Sequence, residues 1–395
     1  MISRELFKAL KEHLSQRAVT VITGMRRVGK STALQFLLQQ VKHNNKLYLD
    51  CERIEIRSLL NRPDYESIAE ELQLNGLDFS KPCVMALDEI QLIQNLPSLI
   101  KYLYDTYSVK FLVTGSSSYY MKNQFSESLA GRKRVFEMYP LNFKEFLNFK
   151  SVSLRTPEKY AWQPFNLAWY NRCKKWYEEY VEFGGFPEVV LENKKSNKEE
   201  FLKDIVNSYI ELDIKLLSDY SASEELYNVI KLLAARTGSK IDYTKLGSIA
   251  GINRQKIAAY LQLLESTYLL YLVKPFTQNI DKEISQQPKI YFSDTGILNT
   301  LAGKQISSGQ LFENAIATQL KPLGLIQYYQ KKNGQEIDFI FNGEIALEVK
   351  QTPASQDALV LKDRASALKI KNHWVVSRYP VPHHFNSLTW GGSIF

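Results

Sequence analysis

Short runs of β-branched and aliphatic residues, each ending in small, hydroxylated or acidic ones, recur through the first third of the chain. Val19-Thr20-Val21-Ile22-Thr23 is the first, and Lys46-Leu47-Tyr48-Leu49 ending at Asp50 the second. Cys83-Val84-Met85-Ala86-Leu87 ends at Asp88-Glu89, and Val109-Lys110-Phe111-Leu112-Val113-Thr114 ends at Gly115-Ser116. Apolar runs of this length suit strands covered on both faces, as in a parallel sheet. Helical stretches separate them, Ala33-Leu34-Gln35-Phe36-Leu37-Leu38 after the first run and a polar one over residues 65–72. The alternation predicts an α/β fold, a parallel sheet with helices on both faces.

From residue 160 the pattern changes. Residues 160–183 are dense in aromatics, Trp162, Phe165, Trp169, Tyr170, Trp176, Tyr177 and Tyr180, with Arg172, Lys174 and Lys175 between them. Two readings stand: the core stripe of a helical lid, or a platform on which single-stranded bases stack. Three helices follow over residues 224–236, 244–250 and 254–264, with Gly251 in the turn and Asn253 placed to cap the third. Apolar strands at 268–273 and 289–292 would form a wing beside them. Arg254, Gln255, Lys256 and Tyr260 are the groove-facing candidates of this helix-turn-helix. Residues 245–265 carry only three cations against one anion. That is thin for a DNA reader, so a protein-docking role stands beside the nucleic-acid one.

Length sets the domain count. A chain of 395 residues exceeds one ordinary core, and the pattern divides it into domains at 1–150, 151–300 and 301–395. Fifty basic residues against 42 acidic ones give +8, which favours nucleic acid or an acidic partner over free acidic substrates. Cys51, Cys83 and Cys173 are odd in number and far apart, the pattern of a reducing cytoplasm without structural zinc. Residues 1–16 are charged throughout, with Ile2, Leu6, Leu10 and Leu14 along one side, and lack the apolar core of a signal peptide. The longest apolar run, 268–273, is strand-sized, so no membrane span is expected.

The candidate chemistry starts at the first strand-to-helix turn, Gly24-Met25-Arg26-Arg27-Val28-Gly29-Lys30-Ser31, followed by Thr32. G-x-x-x-x-G-K-S in this setting is a triphosphate cradle. Backbone N–H groups converge on phosphate, Lys30 bridges the outer phosphates, and the Ser31 hydroxyl ligates Mg2+. ATP and Mg2+ are therefore the expected cofactors. Asp88 at a neighbouring strand end is placed to hold the metal, and Glu89 to orient and deprotonate the attacking water. Ser116 is the expected polar sensor. Ser117 and Ser118 serve equally well as a helix-capping loop. Arg132, among three cations before an edge strand, would reach the γ-phosphate in its own or a neighbouring subunit, which would make the protein a homo-oligomer. Gly184-Gly185-Phe186-Pro187 is a candidate hinge between this site and the downstream domains.

Near the C-terminus, Glu336-Ile337-Asp338-Phe339-Ile340-Phe341 and Ile345-Ala346-Leu347-Glu348-Val349-Lys350 form a hairpin carrying D…E-x-K. A two-residue Asn-Gly turn would throw the two acids onto opposite faces. A three-residue loop, 342–344, pairs Asp338 with Glu348 and gathers the apolar residues on the other face, so the hydrophobic pattern selects it. Paired carboxylates would hold a hard divalent cation, and Lys350 would polarise water or phosphate.

These residues carry a family resemblance. The cradle, Leu87-Asp88-Glu89-Ile90-Gln91, Thr114-Gly115-Ser116-Ser117-Ser118 and Tyr139-Pro140-Leu141-Asn142-Phe143-Lys144-Glu145-Phe146 resemble an AAA-type P-loop ATPase of the prokaryotic "ATP-binding protein" family. Gly184-Gly185-Phe186-Pro187-Glu188 and Lys289-Ile290-Tyr291-Phe292-Ser293-Asp294-Thr295-Gly296 also match its habits. The hairpin resembles a PD-(D/E)xK nuclease site, with Glu313 on the preceding helix as a further acid. The resemblance implies ATP binding and hydrolysis, followed by a winged-helix domain and a small α/β nuclease-like domain. The catalytic candidates are then Lys30, Glu89, Ser116, Arg132, Asp338, Glu348 and Lys350, and the metal candidates Ser31, Asp88, Asp338 and Glu348. Two further classes remain open: a nuclease gated by ATP, and a non-hydrolysing ATP-dependent switch that docks proteins.

Overall fold

In a computed structural model, which describes residues 2–93, 95–116, 129, 131–152, 162–214, 222–277, 286–331, 334–382 and 385–395, the chain divides into two compact units. One holds residues 1–139 with 266–268, the other residues 140–265 with 269–395.

The first unit is built on β1 (Val19–Thr23), β2 (Lys46–Asp50), β3 (Cys83–Asp88), β4 (Val109–Gly115) and β5 (Lys133–Glu137). They lie in the order β2-β3-β4-β1-β5, and every neighbouring pair is parallel. Every residue of β1, β3 and β4 is buried, as their uninterrupted apolar runs require. On one face Val19, Val21, Met85, Leu87, Phe111 and Val113 pack among the helices Ile54–Leu60, Tyr65–Leu74 and Leu96–Thr106. On the other lies the helix Lys30–Gln40, with Phe7 of the helix Leu6–His13 stacked on its Phe36 at 4.4 Å. This is the P-loop NTPase type of sheet that the alternation predicts. Because β4 sits between β1 and β3, the C-terminal ends of all three are adjacent, and a crevice at that edge collects whatever follows each strand.

The second unit opens with the helix Phe143–Phe149, capped reciprocally by Asn142 and Glu145. The helix Leu167–Phe183 buries Tyr177 and Tyr180, which pack edge-on or tilted against Phe143. Trp390 packs on Tyr177 at 5.0 Å between ring centres. Tyr177 and Tyr180 are thus core, whereas Trp162, Phe165, Trp169, Tyr170 and Trp176 are half-buried; Tyr160 lies outside the described residues. Helices Ala222–Ala234, Tyr243–Ala250 and Arg254–Ser266 follow, then an antiparallel pair, β6 (Leu270–Val273) and β7 (Lys289–Phe292). Gly251 ends the second of these helices in the left-handed conformation, and Asn253 Oδ1 accepts the Lys256 N–H at 2.8 Å.

After the helix Ser308–Leu320 comes a second sheet of β8 (Ile326–Gln330), β9 (Glu336–Phe341), β10 (Ile345–Lys350), β11 (Asn372–Ser377) and β12 (Leu388–Trp390), ordered β12-β11-β10-β9-β8. β9 runs antiparallel to both neighbours, whereas β10, β11 and β12 are mutually parallel. The helix Ser355–Ala367 crosses between β10 and β11 and packs on both. Among the described residues no helix is long and apolar enough to cross a membrane.

The Gly184-Gly185 pair is not a hinge. It lies inside the second unit, clamped on two sides. A Cβ on Gly184, at φ +75°, would stand 2.2 Å from the Asp294 carboxylate, and one on Gly185 2.3 Å from the Leu141 carbonyl oxygen. The Gly185 N–H donates to Asp294 Oδ2 at 2.7 Å, and its carbonyl accepts from Leu141 N–H at 2.7 Å. Glycines serve close packing here, which leaves no room for rotation.

Candidate functional site

The loop after β1 has the shape its glycines dictate. Gly24 sits at φ +149° where β5 runs out beside it; a Cβ there would meet the Met138 carbonyl oxygen at 2.1 Å. Gly29, at φ +101°, is the cap from which the helix Lys30–Gln40 starts, and Arg27 adopts φ +64° between them. Met25 and Val28 are buried and anchor the loop, Arg26 is paired with Glu52 at 3.2 Å, and Thr32 is exposed in the first helical turn. We expect Gly24→Ala to lose nucleotide binding and to melt earlier, because both the left-handed φ and the Met138 contact reject a side chain. Thermal denaturation and titration with a fluorescent nucleotide check this.

Lys30 is 4% exposed, and its ammonium donates to the Gly24 and Met25 carbonyls, both at 3.1 Å. It also stands 3.6 Å from Glu89 Oε1. Burial pushes the Glu89 carboxyl up, but Lys30, Gln91 and Arg26 outweigh it and hold the group below its ordinary value. Glu89 is therefore a carboxylate at neutral pH, free to accept a proton from water. It takes φ +53° directly after β3, a turn that Thr114 supports by accepting the Glu89 N–H at 3.0 Å.

The same Thr114 hydroxyl donates to Asp88 Oδ1, and the Tyr48 hydroxyl donates to Asp88 Oδ2 at 2.8 Å. Both oxygens of this buried carboxylate are thus oriented by neutral donors. Ser116, buried at the end of β4, accepts from Gln91 Nε2 at 3.0 Å, and Gln91 also donates to Glu89 Oε2 at 2.5 Å. Sequence reasoning missed Gln91. Its signal was position, two residues past the acid, in the short helical turn Ile90–Leu92. Ser117 and Ser118 lie outside the described residues.

These residues fit a Mg2+-bound triphosphate. The loop offers backbone N–H groups and a buried ammonium whose present partners are neutral carbonyls and one carboxylate. Ser31 stands in the first helical turn, and Asp88, already accepting two hydrogen bonds, would reach a metal through water.

Arg132 is not brought to this site in its own chain. Its carbonyl accepts the Val19 N–H at 2.7 Å, so it flanks the start of β1, about 16 Å along the strand from the loop. There its guanidinium pairs with Asp105 at 3.2 Å and lies over the Tyr104 ring. Parallel pairing of β5 with β1 imposes this: the residue before β5 must lie beside the residue before β1.

In the second unit the hairpin has the three-residue connection. Ile345 pairs with Phe341, Ala346 with Ile340 and Leu347 with Phe339, and the ladder ends there, one residue short of Asp338 and Glu348. Asp338 Oδ2 accepts the Val349 N–H at 2.8 Å, and Lys350 Nζ is 2.8 Å from Glu348 Oε1. Glu348 Oε2 is buried without a hydrogen-bond partner, 4.0 Å from the Arg364 guanidinium. Burial and the Asp338 charge push the Glu348 and Glu313 carboxyls up, and burial also raises Asp338. Among the described residues no group of three or more His, Cys, Asp or Glu is arranged to hold a metal. The pair Asp338 and Glu348, with its one orphaned oxygen, fits a Mg2+ that draws its other ligands from water and phosphate.

Two residues here escaped sequence reasoning. Lys289, 4% exposed, forms an ion pair with Glu336 and stands 3.8 Å from Glu313 Oε1. Tyr291 donates to the same Glu313 oxygen at 2.6 Å. Both lie on β7, and their two-residue spacing was the available signal. On the helix Arg254–Ser266, Arg254 and Gln255 are exposed. Lys256 and Tyr260 both engage Glu225 at 2.7 Å; Tyr260 is buried, while the Lys256 side chain remains 41% exposed.

Comparison with known proteins finds two family models and several relatives. Residues 16–147 match the family model described as "AAA domain". Residues 174–308 match a domain of unknown function, DUF8612. An uncharacterized protein of Haemophilus influenzae is 27% identical over 390 residues, covering 94% of this chain and 93% of that one. One of Methanocaldococcus jannaschii is 25% identical over 369 residues, covering 90% and 80%. Among solved structures, the Aeropyrum pernix ORC2 protein in its ADP form aligns at a TM-score of 0.41 and 14% identity, over 78% of this chain and 95% of that one.

Proposed function

We propose that this chain is a cytoplasmic Mg2+-dependent ATPase whose ATP binding and hydrolysis drive a winged-helix and nuclease-like module acting on nucleic acid. The observation that carries the proposal is the Lys30 ammonium held within the Gly24 to Gly29 loop, 3.6 Å from Glu89. Lys30 would move from the loop carbonyls to the outer phosphates, which releases Glu89 to orient water and take its proton. Ser116 and Gln91 would keep the Glu89 carboxylate aimed. Bound Mg2+, held by Ser31 and by Asp88 through water, would neutralise developing phosphate charge. Arg132 would act, if at all in this reaction, on the site of a neighbouring copy.

Within the second unit we assign residues 151–300 to a helical lid and winged helix, with β6 and β7 as its wing, and residues 301–395 to the nuclease-like part. There Asp338 and Glu348 would hold Mg2+, and Lys350 would polarise the attacking water. One observation favours a second reading, a protein-docking switch. Lys256 and Tyr260 are committed to Glu225, which leaves the third helix with little charge to offer DNA.

Glu89→Gln tests the ATPase assignment. The amide keeps the shape and loses the base, so ATP binding should persist while turnover falls about 10²–10⁴-fold. Phosphate release at wild-type rate would remove Glu89 from the reaction. Plasmid nicking that survives Lys30→Ala and disappears in Asp338→Ala would make the nuclease independent of ATP.

A further inference from the structure

We infer that a second ligand site lies at the edge of the first sheet opposite the phosphate loop, a cationic cavity that takes a phosphomonoester of nucleotide size. It uses none of the residues assigned to ATP. The cavity encloses about 550 Å3 where the helices Leu6–His13 and Lys30–Gln40 end and where β3 and β4 begin. Lys11, Arg17, Lys42, His43 and Lys110 line it, and among the described residues no aspartate or glutamate does.

The fold does not consume these charges. Lys110, 9% exposed, donates to the His13 carbonyl at 3.2 Å and to the Ala18 carbonyl, which leaves one of its three N–H groups for a ligand. Burial pulls this ammonium down to about 8, and no carboxylate among the described residues stands near enough to oppose the shift. The Arg17 guanidinium lies 4.6 Å over the Tyr104 ring and donates to the Tyr104 carbonyl at 2.8 Å, again neutral partners. Lys11 and Lys42 are exposed, and neither pairs with an acid among the described residues. Two helix C-termini contribute about half a negative charge each, roughly one in all against the four permanent cations. Lys46 already serves one of these ends, through the Leu38 and Val41 carbonyls at 2.8 and 2.9 Å, and Lys110 serves the other through His13. A positive surplus is left.

That surplus suits a dianion better than a single carboxylate, because lysine ammoniums act as separate point charges whose attractions to a doubly charged phosphate add. Leu14, Val41, Pro82 and Val109 supply apolar wall beside the cations, and the volume exceeds what a bare phosphate fills. A phosphate carrying a flat, partly apolar body meets both demands, as in a mononucleotide or the phosphorylated 5′ end of a nucleic-acid strand.

Calorimetric titration of the full-length chain with AMP tests this, in wild type and in Lys30→Ala, which disables the phosphate loop and so separates the two sites. We expect one AMP site that survives Lys30→Ala and rejects adenosine. Its affinity should fall about 10-fold or more when Lys11→Ser and Lys42→Ser are added, two exposed positions whose change leaves the core intact. Lys110→Met should abolish binding, and the exposed pair decides if that chain does not fold. A 5′-phosphorylated oligonucleotide that competes with AMP, where its 5′-hydroxyl counterpart does not, would identify a strand end as the ligand. AMP binding without that competition would identify a free mononucleotide. Equal competition by both oligonucleotides would overturn the phosphomonoester assignment. Failure of AMP and of the phosphorylated oligonucleotide to bind Lys30→Ala, AMP affinity unchanged by Lys11→Ser with Lys42→Ser, or adenosine binding as tightly as AMP would overturn the site itself.

Discussion

Lys30→Ala should bring ATP turnover down to background, a loss of about 10²–10³-fold or more, while the fold stays intact. The two halves of this expectation have separate grounds. Among the described residues the ammonium touches only the Gly24 and Met25 carbonyls and Glu89, so its removal leaves the apolar layers untouched, and alanine is a good first residue for the helix Lys30–Gln40. The melting temperature should therefore move little. Function should suffer twice. The buried cation that would bridge the outer phosphates is gone, and Glu89 loses its main counter-charge. Lys30 is the first of the charges holding the Glu89 carboxyl down against burial, so in the variant that carboxyl rises and a larger share of it is protonated and unable to take the proton from water. Since both effects run through Glu89, Lys30→Ala and Glu89→Gln should combine less than additively. Phosphate release from Mg2+-ATP, with circular dichroism as the folding control, measures this. Undiminished turnover in folded Lys30→Ala would end the ATPase assignment.

The second large effect concerns stability. Asp294 is fully buried and caps the helix Thr295–Ala302 through the Ile297 N–H at 3.0 Å, while it also accepts the Gly185 N–H at 2.7 Å. Asp294→Ala leaves these N–H groups without acceptors in the interior and should cost about 3 kcal/mol near pH 4 to 5. Asparagine is a poor rescue, because its amide would turn an N–H group toward one of the two donors. Burial raises the Asp294 carboxyl from 3.8 to about 6, against the three N–H groups that lower it. The folded chain thus binds this proton more tightly than the unfolded chain. The stability this group contributes is greatest below pH 4, declines as pH rises to about 6, and is flat above. Wild type and Asp294→Ala should accordingly differ most near pH 4 and less at pH 7. Urea denaturation of both at the two pH values checks the sign; a gap that widens toward neutrality would contradict it.

Local pattern determined a great deal of this protein. Uninterrupted apolar runs marked β1, β3 and β4, since strands covered on both faces tolerate nothing else, and the glycine spacing marked the phosphate loop. Alternation marked the hairpin closely enough to select the three-residue connection between β9 and β10. Asn253 was legible as a cap because capping is a matter of three residues.

What stayed hidden depended on which distant segments become neighbours. Arg132 reads as a cation approaching a phosphate, yet parallel pairing carries the start of β5 to the edge away from the loop. Gly184 and Gly185 read as freedom until Asp294 and Leu141 fill the space around them. Tyr260 reads as groove-facing until its hydroxyl is buried against Glu225. Lys289 and Tyr291 read as strand residues until β7 brings them against Glu313 and Glu336. Side-chain periodicity tells which face a residue is on, because it is set within a few residues along the chain. What that face meets is set by strand order and helix packing between residues tens of positions apart, and only the folded chain holds that information.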